Sequence, residues 1–364
     1  MRTATAAPEE GIMDVSALDE NGKPIDWWFI YKVPQLTQDA ASDSACGYEY
    51  VYFDANSLKA VKSPNLLNRN EGALNLTLNS VFRNPGASTG WILYNDEMPV
   101  VANGKDSGEF GHTKGVLAYD SGTKSAFWLL HSWPKFAAPG SVGMPTPEYG
   151  QTFLCITLSL DTAHQIAAQM ANHQEPQCFL PRAVGLSDTD PLMALTKPYN
   201  PKPPAAADAL DCQSKGGLNF KVFAKNREWN QDFWNGYVGP QLGADMDVET
   251  WIRGKIPPVA DTDGIHKTFD IKFINMGPLG AHWAWPETHD HAKWGITTTG
   301  NWICVGDINR MISQRNRGGG TIAFQNQLLW QALSKTDLIL APPGHTREEA
   351  IQLLRDSQNS SLPS

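Results

Sequence analysis

Residues 111–120 of the chain read GHTKGVLAYD, and residues 290–294 read DHAKW. Both stretches contain the tripeptide His-x-Lys, formed by His112 and Lys114 in the first and by His291 and Lys293 in the second. Each tripeptide leads into an apolar segment typical of a β-strand. Residues two apart on a strand point to the same face of a sheet, so each histidine is expected beside its own lysine. Because the second copy follows the first by close to half of the chain, the repeat predicts two halves of similar character.

The composition fits a folded protein with more than one lobe. The chain has 364 residues, of which 41% are hydrophobic, and its 38 acidic and 29 basic side chains give a formal charge of −9. Domains usually contain about 100–200 residues, so two lobes are expected. No apolar run reaches the roughly 18 residues that cross a membrane, and the first residues show no signal peptide. The acidic balance argues against a dedicated DNA-binding protein at neutral pH, although protonation of the nine histidines in acid reduces it.

Short runs of aromatic and β-branched residues predict most of the strands. In the first half these runs are 26–33, 48–53, 90–95, 115–119, 126–131 and 152–160, and in the second half they are 218–224, 269–274, 294–298 and 302–305. The clearest helix is predicted at 162–171, with Asp161 as its N-cap. A turn at the three glycines 318–320 is expected to lead into a strand and then a helix over 321–333.

A change of composition after residue 190 separates the two predicted lobes. Residues 197–208 read KPYNPKPPAAAD, and prolines remove backbone donors and fix φ, so a packed strand or helix is not expected there. The chain is therefore divided into an N-terminal lobe at 12–190, a linker at 191–212 and a C-terminal lobe at 213–356. The predicted fold class is mixed α/β, with a sheet and flanking helices in each lobe.

A pair of His-x-Lys units supplies the groups that phosphodiester cleavage requires. One imidazole attacks phosphorus as a neutral nucleophile, and the other protonates the departing oxygen as imidazolium. The two lysines place positive charge beside the equatorial oxygens. This chemistry needs no metal ion or other cofactor. A single His-x-Lys on a surface strand is more often an exposed polar pair, so the interpretation depends on the repeat.

Longer stretches around these motifs resemble the acid deoxyribonuclease II family. The matching runs occur in the family's order along the chain, at 24–34, 93–96, 111–120, 127–134, 149–155, 290–294, 302–310 and 317–321. An ordered set of this kind is far more specific than either tripeptide alone.

The resemblance implies a fold similar to that of the phospholipase D superfamily, with two such lobes related by a pseudo-twofold axis within one chain. It implies a clamp around double-stranded DNA and a metal-independent endonuclease that works best in acid and leaves 3′-phosphate and 5′-hydroxyl ends. His112 and Lys114 match the first family motif, and His291 and Lys293 match the second. By analogy with the superfamily, one histidine forms a phosphohistidine intermediate. We favour His112 as nucleophile and His291 as general acid, although the sequence alone leaves this order open.

Asp120, Asp307 and Asn309 are the candidate supporting residues. Asp120 follows Lys114 by six positions, and it is expected either to orient a histidine or lysine or to occupy a turn. Asp307 and Asn309 are the nearest polar candidates after the second motif. Asn309 is expected to hold a lysine or to contact phosphate.

The cysteines depart from the family pattern. Cys155 and Cys304 fall in matching segments, but their expected partners are absent, with Ala323 in one such position. Those bridges are therefore expected to be missing. The pattern favours a microbial homologue over a lysosomal enzyme. The cellular location of the protein is left open. A secreted or periplasmic location would require only that a leader peptide had been removed.

Two other functions fit the same residues. A phosphodiesterase of the same superfamily, acting on a lipid or another non-DNA diester, would use the same chemistry. A catalytically inactive DNA-binding clamp is the second alternative, but the intact histidines and lysines of both motifs favour an enzyme. The expected partner is double-stranded DNA, no membrane is expected, and a C₂ homodimer is the general expectation for an enzyme of this size.

Overall fold

The computed structural model describes residues 14–39, 42–99, 102, 108–136, 145–197, 205–253 and 265–336. In the first half of the chain the strands are β1 (Ala17–Leu18), β2 (Pro24–Ile25), β3 (Trp27–Lys32), β4 (Gln35–Leu36), β5 (Ala45–Cys46), β6 (Tyr50–Asp54), β7 (Val61–Lys62), β8 (Thr89–Asn95), β9 (Lys114–Asp120), β10 (Ser125–His131), β11 (Gln151–Ser159) and β12 (Cys178–Arg182). In the second half they are β13 (Ala207–Gln213), β14 (Asn219–Lys225), β15 (Met246–Thr250), β16 (Thr268–Asp270), β17 (Phe273–Asn275), β18 (Ala284–Pro286), β19 (Lys293–Thr297), β20 (Trp302–Gly306) and β21 (Gly319–Gln325). The α-helices are α1 (Gly72–Phe82), α2 (Leu160–Gln169), α3 (Pro191–Ala194), α4 (Gly239–Leu242) and α5 (Gln327–Thr336).

Two sheets contain most of these strands. The first half forms an antiparallel eight-stranded sheet in the order β12-β8-β9-β10-β11-β3-β6-β7. The second half forms a seven-stranded sheet in the order β13-β14-β21-β20-β19-β15-β16, in which β15 and β16 pair in parallel. The predicted α/β class is confirmed, and one sheet in each half is consistent with two lobes. The pseudo-twofold relation between them stays a prediction.

The two sheets pack face to face across a shared apolar core. Trp27 of β3 contacts Phe324 of β21, with 5.2 Å between their ring centroids. Both belong to a buried cluster to which the two sheets, α2 and α5 all contribute. Helix α1 covers the outer face of the eight-stranded sheet, and the π-helical turn Trp234–Val238 covers that of the seven-stranded sheet. Because both faces are covered, the central strands are continuous apolar runs rather than alternating patterns.

Most predicted strands are confirmed to within one or two residues, but the predicted strand at 269–274 was wrong. This segment divides into β16 and β17, which belong to different sheets. Its first part pairs with β15, and its second part pairs with β18 after two intervening residues. One apolar run can serve two sheets in this way, and the pattern alone does not mark the break.

Two local predictions in the helices and turns were also wrong. Ser159, not Asp161, is the N-cap of α2, since its Oγ accepts a hydrogen bond of 3.1 Å from the Thr162 N–H. The three glycines do not form a turn, because Gly319 and Gly320 pair with β14 as the first residues of β21. A glycine lacks the side chain that would otherwise crowd this close strand contact.

The predicted linker contains regular structure at both of its ends. Helix α3 begins it, and Asp190 caps this helix by accepting a hydrogen bond from the Leu192 N–H. Strand β13 ends it and forms the edge of the seven-stranded sheet. Residues 198–204 lie outside the described residues, and the domain boundaries stay predictions. Within the described ranges, no helix is long and apolar enough to cross a membrane.

Candidate active site

The first His-x-Lys motif lies where β8 and β9 meet. Lys114 is the first residue of β9 and pairs with Asn95, the last residue of β8. Asp96 follows directly, and its N–H donates to the Thr113 carbonyl at 3.2 Å. The pairing of these two strands therefore brings the Asp96 carboxylate beside the lysine of the motif.

Asp96 forms a buried charge network with two cations. Its carboxylate accepts hydrogen bonds from the Lys114 ammonium and, at 2.9 Å, from Arg317 Nη2. His112 Nε2 lies 4.0 Å from the same carboxylate. Burial alone would raise the pKa of Asp96, but Lys114, His112 and Arg317 outweigh it and hold that pKa well below its usual value. Asp96 is therefore ionised and balances positive charge at the site.

His112 is fixed by backbone groups of the second half of the chain. Its own N–H donates to the Gly318 carbonyl at 2.8 Å, and its ring Nδ1 contacts the Asp307 carbonyl oxygen. A carbonyl only accepts, so Nδ1 carries the proton and Nε2 retains the lone pair. Burial and then the charge of Lys114 lower the pKa of His112 well below its usual value. The free protein therefore presents a neutral imidazole with Nε2 available.

The second motif has the same relation to the first half of the chain. Lys293 is the first residue of β19, and the His291 N–H donates to the Gly150 carbonyl at 2.9 Å. The Gly150 N–H in turn donates to the His289 carbonyl at 2.8 Å. The Lys293 ammonium donates to the His291 carbonyl, and burial lowers its pKa to about 7. Each motif is thus bound to a glycine loop of the opposite half.

Two aromatic rings enclose the imidazole of His291. Tyr149 stacks on it with 4.1 Å between centroids and an interplanar angle of 8°, and Trp251 lies at 3.7 Å. Within the described part of the chain, His291 Nε2 is buried without a hydrogen-bond partner. Burial, followed by the charges of Lys293 and Lys114, lowers the pKa of His291 well below its usual value. Aromatic packing rather than hydrogen bonding holds this ring.

The two motifs lie in one electrostatic environment. After burial and the charge of Lys293, the charge of Lys114 contributes to the low pKa of His291, and the charge of Lys293 contributes to that of His112. Each histidine N–H also donates to a glycine carbonyl of the opposite half, that of Gly318 for His112 and that of Gly150 for His291. The fold therefore brings both motifs to the contact between the two halves of the chain.

The buried carboxylate of Asp290 stabilises the second motif. Asp290 accepts hydrogen bonds from the Tyr31 hydroxyl at 2.6 Å, from Trp285 Nε1 at 2.7 Å and from the Ala292 N–H at 2.7 Å. Tyr31 belongs to β3 of the first half. These bonds attach the chain on both sides of His291 to the shared core.

Asp120 does not lie beside the first motif. It is the last residue of β9, while Lys114 is the first, so about 20 Å of extended strand separates them. Its carboxylate accepts hydrogen bonds from Ser88, Thr89 and the turn N–H groups of Gly122 and Thr123. The structure thus places Asp120 in the β9–β10 turn, away from the site.

Asp307 and Asn309 are both buried on the segment that follows β20. Asp307 Oδ1 accepts the Gly320 N–H at 2.8 Å, and among the described residues its Oδ2 has no partner. Burial raises the pKa of Asp307 to about 7. Its backbone carbonyl also orients His112. Asn309 Oδ1 likewise finds no partner within the described ranges, and its role at the site stays a prediction.

Four neighbours of the motifs were not among the predicted site residues: Asp96, Arg317, Tyr149 and Trp251. All four lie on loops or strand ends that meet the motifs only in the folded chain. Asp96 reaches Lys114 only through the register of β8 against β9. No local pattern in the sequence marks any of the four.

Groups that commonly bind metals are dispersed in the structure. Over the described ranges, no three histidine, cysteine or acidic side chains are arranged to hold a metal ion. The five cysteines all fall in those ranges and carry free thiols, with Cys155 and Cys304 buried.

Comparison with known proteins places the chain among DNA-cutting enzymes. A family model described as deoxyribonuclease II matches residues 16–341. A Burkholderia thailandensis protein, provisionally named deoxyribonuclease-2, is 62% identical over 94% of this chain and 98% of its own length. The rat deoxyribonuclease-2-alpha is 31% identical over 87% of this chain and 91% of its own. Plancitoxin-1 of Acanthaster planci is 33% identical over 86% and 88%, respectively.

Proposed function

Because the chain belongs to the deoxyribonuclease II family, we propose that it cuts double-stranded DNA without a metal ion, through His112 and His291, and leaves 3′-phosphate and 5′-hydroxyl ends. Family membership makes the protein a deoxyribonuclease with DNA as its substrate. The observation that carries the finer proposal is that each His-x-Lys motif binds a glycine carbonyl of the opposite half, His112 that of Gly318 and His291 that of Gly150. The charge of each lysine also acts on the histidine of the other motif.

His112 is the nucleophile in this mechanism. The contact of its Nδ1 with the Asp307 carbonyl supports the tautomer with a lone pair on Nε2. Nε2 attacks phosphorus, a P–N bond forms, and the bond from phosphorus to the 5′ oxygen breaks. The 3′ side of the DNA remains on the enzyme as a phosphohistidine.

His291 is the general acid of the same step. As imidazolium it gives its proton to the departing 5′ oxygen, which leaves as a hydroxyl group. The enclosing faces of Tyr149 and Trp251 favour a positive ring through cation–π attraction. The neutral His291 then takes a proton from a water molecule that attacks the phosphohistidine, which releases the 3′-phosphate and regenerates both histidines.

Positive charge at the site stabilises the phosphoryl group in transfer. Lys293 and Lys114 stand beside their own histidines, and Arg317 approaches through its bond to Asp96. Preorganised cations of this kind lower the barrier without reorganisation during the reaction. Because the lysines supply this charge, the mechanism has no step that requires a metal ion.

The experiment that tests the proposal is end-group analysis of plasmid DNA digested at about pH 5 with EDTA present. We expect 3′-phosphate and 5′-hydroxyl ends at the same rate as without EDTA. Ends of the opposite polarity, or loss of cleavage on chelation, would refute the proposed chemistry. Digestion of a phosphatidylcholine substrate in place of DNA would favour the lipid alternative.

Substitution of either histidine tests its role directly. His112→Ala and His291→Ala are each expected to lower turnover by about 100- to 10,000-fold while thermal unfolding stays cooperative. His282→Ala is the control, since this side chain is 60% exposed and pairs with Asp43 at the surface. Ordinary turnover in His291→Ala would exclude the paired-imidazole scheme.

A further inference from the structure

Two buried lysines occupy corresponding places in the two halves of the chain. Lys32 ends β3 and pairs with Gln151, which begins β11. Lys225 ends β14 and pairs with Gly319, which begins β21. Both side chains are almost completely buried, and neither belongs to a His-x-Lys motif. Buried lysines are rare unless their amino groups are fully bonded.

Each of these lysines donates to three backbone carbonyls, of which two for Lys32 and all three for Lys225 lie in a single loop. The Lys32 amino group donates to the carbonyl oxygens of Val33 and Pro147 at 3.0 Å each, and to that of Tyr149 at 2.5 Å. An ammonium group has three donors, so these three bonds satisfy it.

The Lys225 amino group makes the corresponding set of bonds in the second half. It donates to the carbonyl oxygens of Gln314 and Arg315 at 3.0 Å each, and also to that of Arg317. All three acceptors lie in the loop that precedes β21. The two lysines therefore bind the loops that run into β11 and β21, respectively.

The residue after each loop is the glycine that holds a histidine of the opposite half. Gly150 follows the loop bound by Lys32, and its carbonyl accepts the His291 N–H at 2.9 Å. Gly318 follows the loop bound by Lys225, and its carbonyl accepts the His112 N–H at 2.8 Å. The same loops carry Tyr149, which stacks on His291, and Arg317, which binds Asp96.

We propose that Lys32 and Lys225 are matched positioning residues, each fixing the loop whose glycine carbonyl holds the catalytic histidine of the opposite half. Lys32 thereby acts on His291, and Lys225 acts on His112. Neither lysine touches the reacting phosphate in this scheme. The inference deepens the proposed function and rests on it, since it takes these two histidines as the reacting groups.

Both lysines change their charge near neutral pH. Burial lowers the pKa of each to about 7. Around Lys32, the charges of Asp290, Glu49 and Cys46 act in the opposite direction, and the Trp133 ring lies 5.1 Å away. Below neutrality the amino group carries three donors for three carbonyls, and above neutrality it keeps two.

Lys225 has a comparable set of charged neighbours. Glu175, Asp307 and Asp232 raise its pKa, while Arg317 lowers it. Both loops are therefore held most firmly in acid, where both amino groups are protonated.

The test uses the full-length protein with ¹³C-labelled histidine and follows the imidazole signals of the free enzyme by NMR. Lys32→Met is expected to shift the signal of His291 and to leave that of His112 in place, whereas Lys225→Met does the reverse. Signals are assigned with His112→Gln and His291→Gln. A lysine that only stabilised the fold would not produce this crossed pattern.

The matched control is Lys221→Met, on the same strand as Lys225 but with a partly exposed side chain paired to Asp211. It is expected to shift neither histidine. The inference is overturned if both methionine variants shift the same histidine or if neither variant shifts any. Should a methionine variant fail to unfold cooperatively, Lys32→Arg and Lys225→Arg replace it. A planar guanidinium cannot direct three bonds from one nitrogen, so the same crossed pattern is expected.

Activity provides the second readout. Each methionine variant is expected to lower kcat by about 10- to 100-fold with KM changed far less, because a displaced histidine loses its alignment with phosphorus. An unchanged kcat in both variants would also overturn the inference. If the unmodified protein does not cut DNA but the crossed NMR pattern is found, the proposed function fails and the positioning roles stand.

Discussion

Asp96 sets the charge balance of the first motif. Its carboxylate is nearly inaccessible to solvent and lies between Lys114 and Arg317. Removing one partner of a buried ion pair leaves the other charge without compensation, which usually costs more than the pair contributes. Asp96→Asn is therefore expected to lower the free energy of unfolding by about 3–5 kcal/mol. Urea denaturation measures this loss.

The control for this prediction is an ion pair at the surface. Asp211 pairs with Lys221 while 81% of its side chain is exposed, and such pairs contribute little. Asp211→Asn is expected to leave the denaturation midpoint unchanged. Equal losses of unfolding free energy in the two variants would contradict the prediction, because a buried and an exposed ion pair would then contribute equally to stability.

Glu249 is a buried acid that the proposed mechanism does not use. Neither carboxyl oxygen has a hydrogen-bond partner among the described residues. Burial, with the charges of Asp290 and Glu287, raises its pKa well above the ordinary 4.5. The folded protein keeps this group protonated, whereas the unfolded chain ionises it. Its contribution to stability is therefore present below pH 4.5 and is lost as the pH rises towards the folded pKa.

Glu249→Gln is expected to remove this pH dependence. The amide resembles the protonated acid in shape but does not ionise, so the variant should gain stability relative to the original protein between about pH 4 and pH 7. Urea midpoints at the two pH values measure the difference. The exposed Glu228 supplies the control as Glu228→Gln, for which no such gain is expected. An equal gain in stability at both pH values would contradict the raised pKa of Glu249 in the folded protein.

The glycines that directly precede β11 and β21 are closely packed against other residues. A Cβ added at Gly318 would lie 2.6 Å from the Gln174 carbonyl oxygen and 2.8 Å from Glu175 Cγ. One added at Gly150 would lie 2.7 Å from Asp290 Oδ1. At Gly318 the nearest atoms belong to the Gln174 backbone, which cannot yield as a flexible side chain can, so the loop before β21 itself must shift.

Gly318→Ala is expected to displace the carbonyl that holds His112. A shift of about 1 Å costs on the order of 100-fold in turnover when the moved group reacts with substrate. Steady-state kinetics on plasmid DNA measures the loss, which should appear in kcat. Gly108→Ala is the control, because a Cβ there meets no atom of the described residues within 4 Å. Equal activity in both alanine variants would show that the position of this loop does not affect turnover.

The elements differ in how well the sequence predicts them. Central strands such as β10 and β11 could be predicted because both of their faces are buried, which leaves uninterrupted apolar runs. The break between β16 and β17 could not, since both pieces are equally apolar. The register of β8 against β9, which brings Asp96 to Lys114, depends on long-range pairing that no local pattern contains.

The residues of the candidate site also differ in how far the sequence predicts them. The repeat predicted His112 and His291 because both motifs keep the same residues at the same spacing. It could not identify Tyr149 or Trp251, whose contact with His291 exists only after the two sheets pack together. Asp120 was expected either at the motif or in a turn, and its bonds to the Gly122 and Thr123 N–H groups agree with the turn.

At the scale of the whole molecule, the shared core explains why the site needs both halves. Each histidine is held by a carbonyl of the opposite half, and each half contributes one sheet to the same apolar cluster. The net charge of −9 opposes binding of a polyanion at neutral pH. Protonation in acid reduces this repulsion over the surface, and it also supplies the proton that the proposed general acid requires.

The pH dependence of the two kinetic constants is the prediction that involves the whole molecule. Burial and then neighbouring lysines lower the pKa values of His112 and His291 in the free protein. A bound phosphodiester adds negative charge beside both rings, so it raises both values. The proposed reaction needs one imidazole charged and one neutral, so we expect the rate to pass through a maximum between two coupled pKa values on the acid side of neutrality.

The profile of kcat/KM reports the free enzyme, and that of kcat reports the enzyme–substrate complex. We therefore expect both profiles to be bell-shaped, with the kcat profile displaced to higher pH. Initial rates on plasmid DNA with EDTA, across about pH 3 to pH 8, measure both constants. Coincident profiles would mean that substrate does not raise the pKa values, and an optimum above neutrality would mean that imidazolium is not the acid. Either result would contradict the charge assignment of the site.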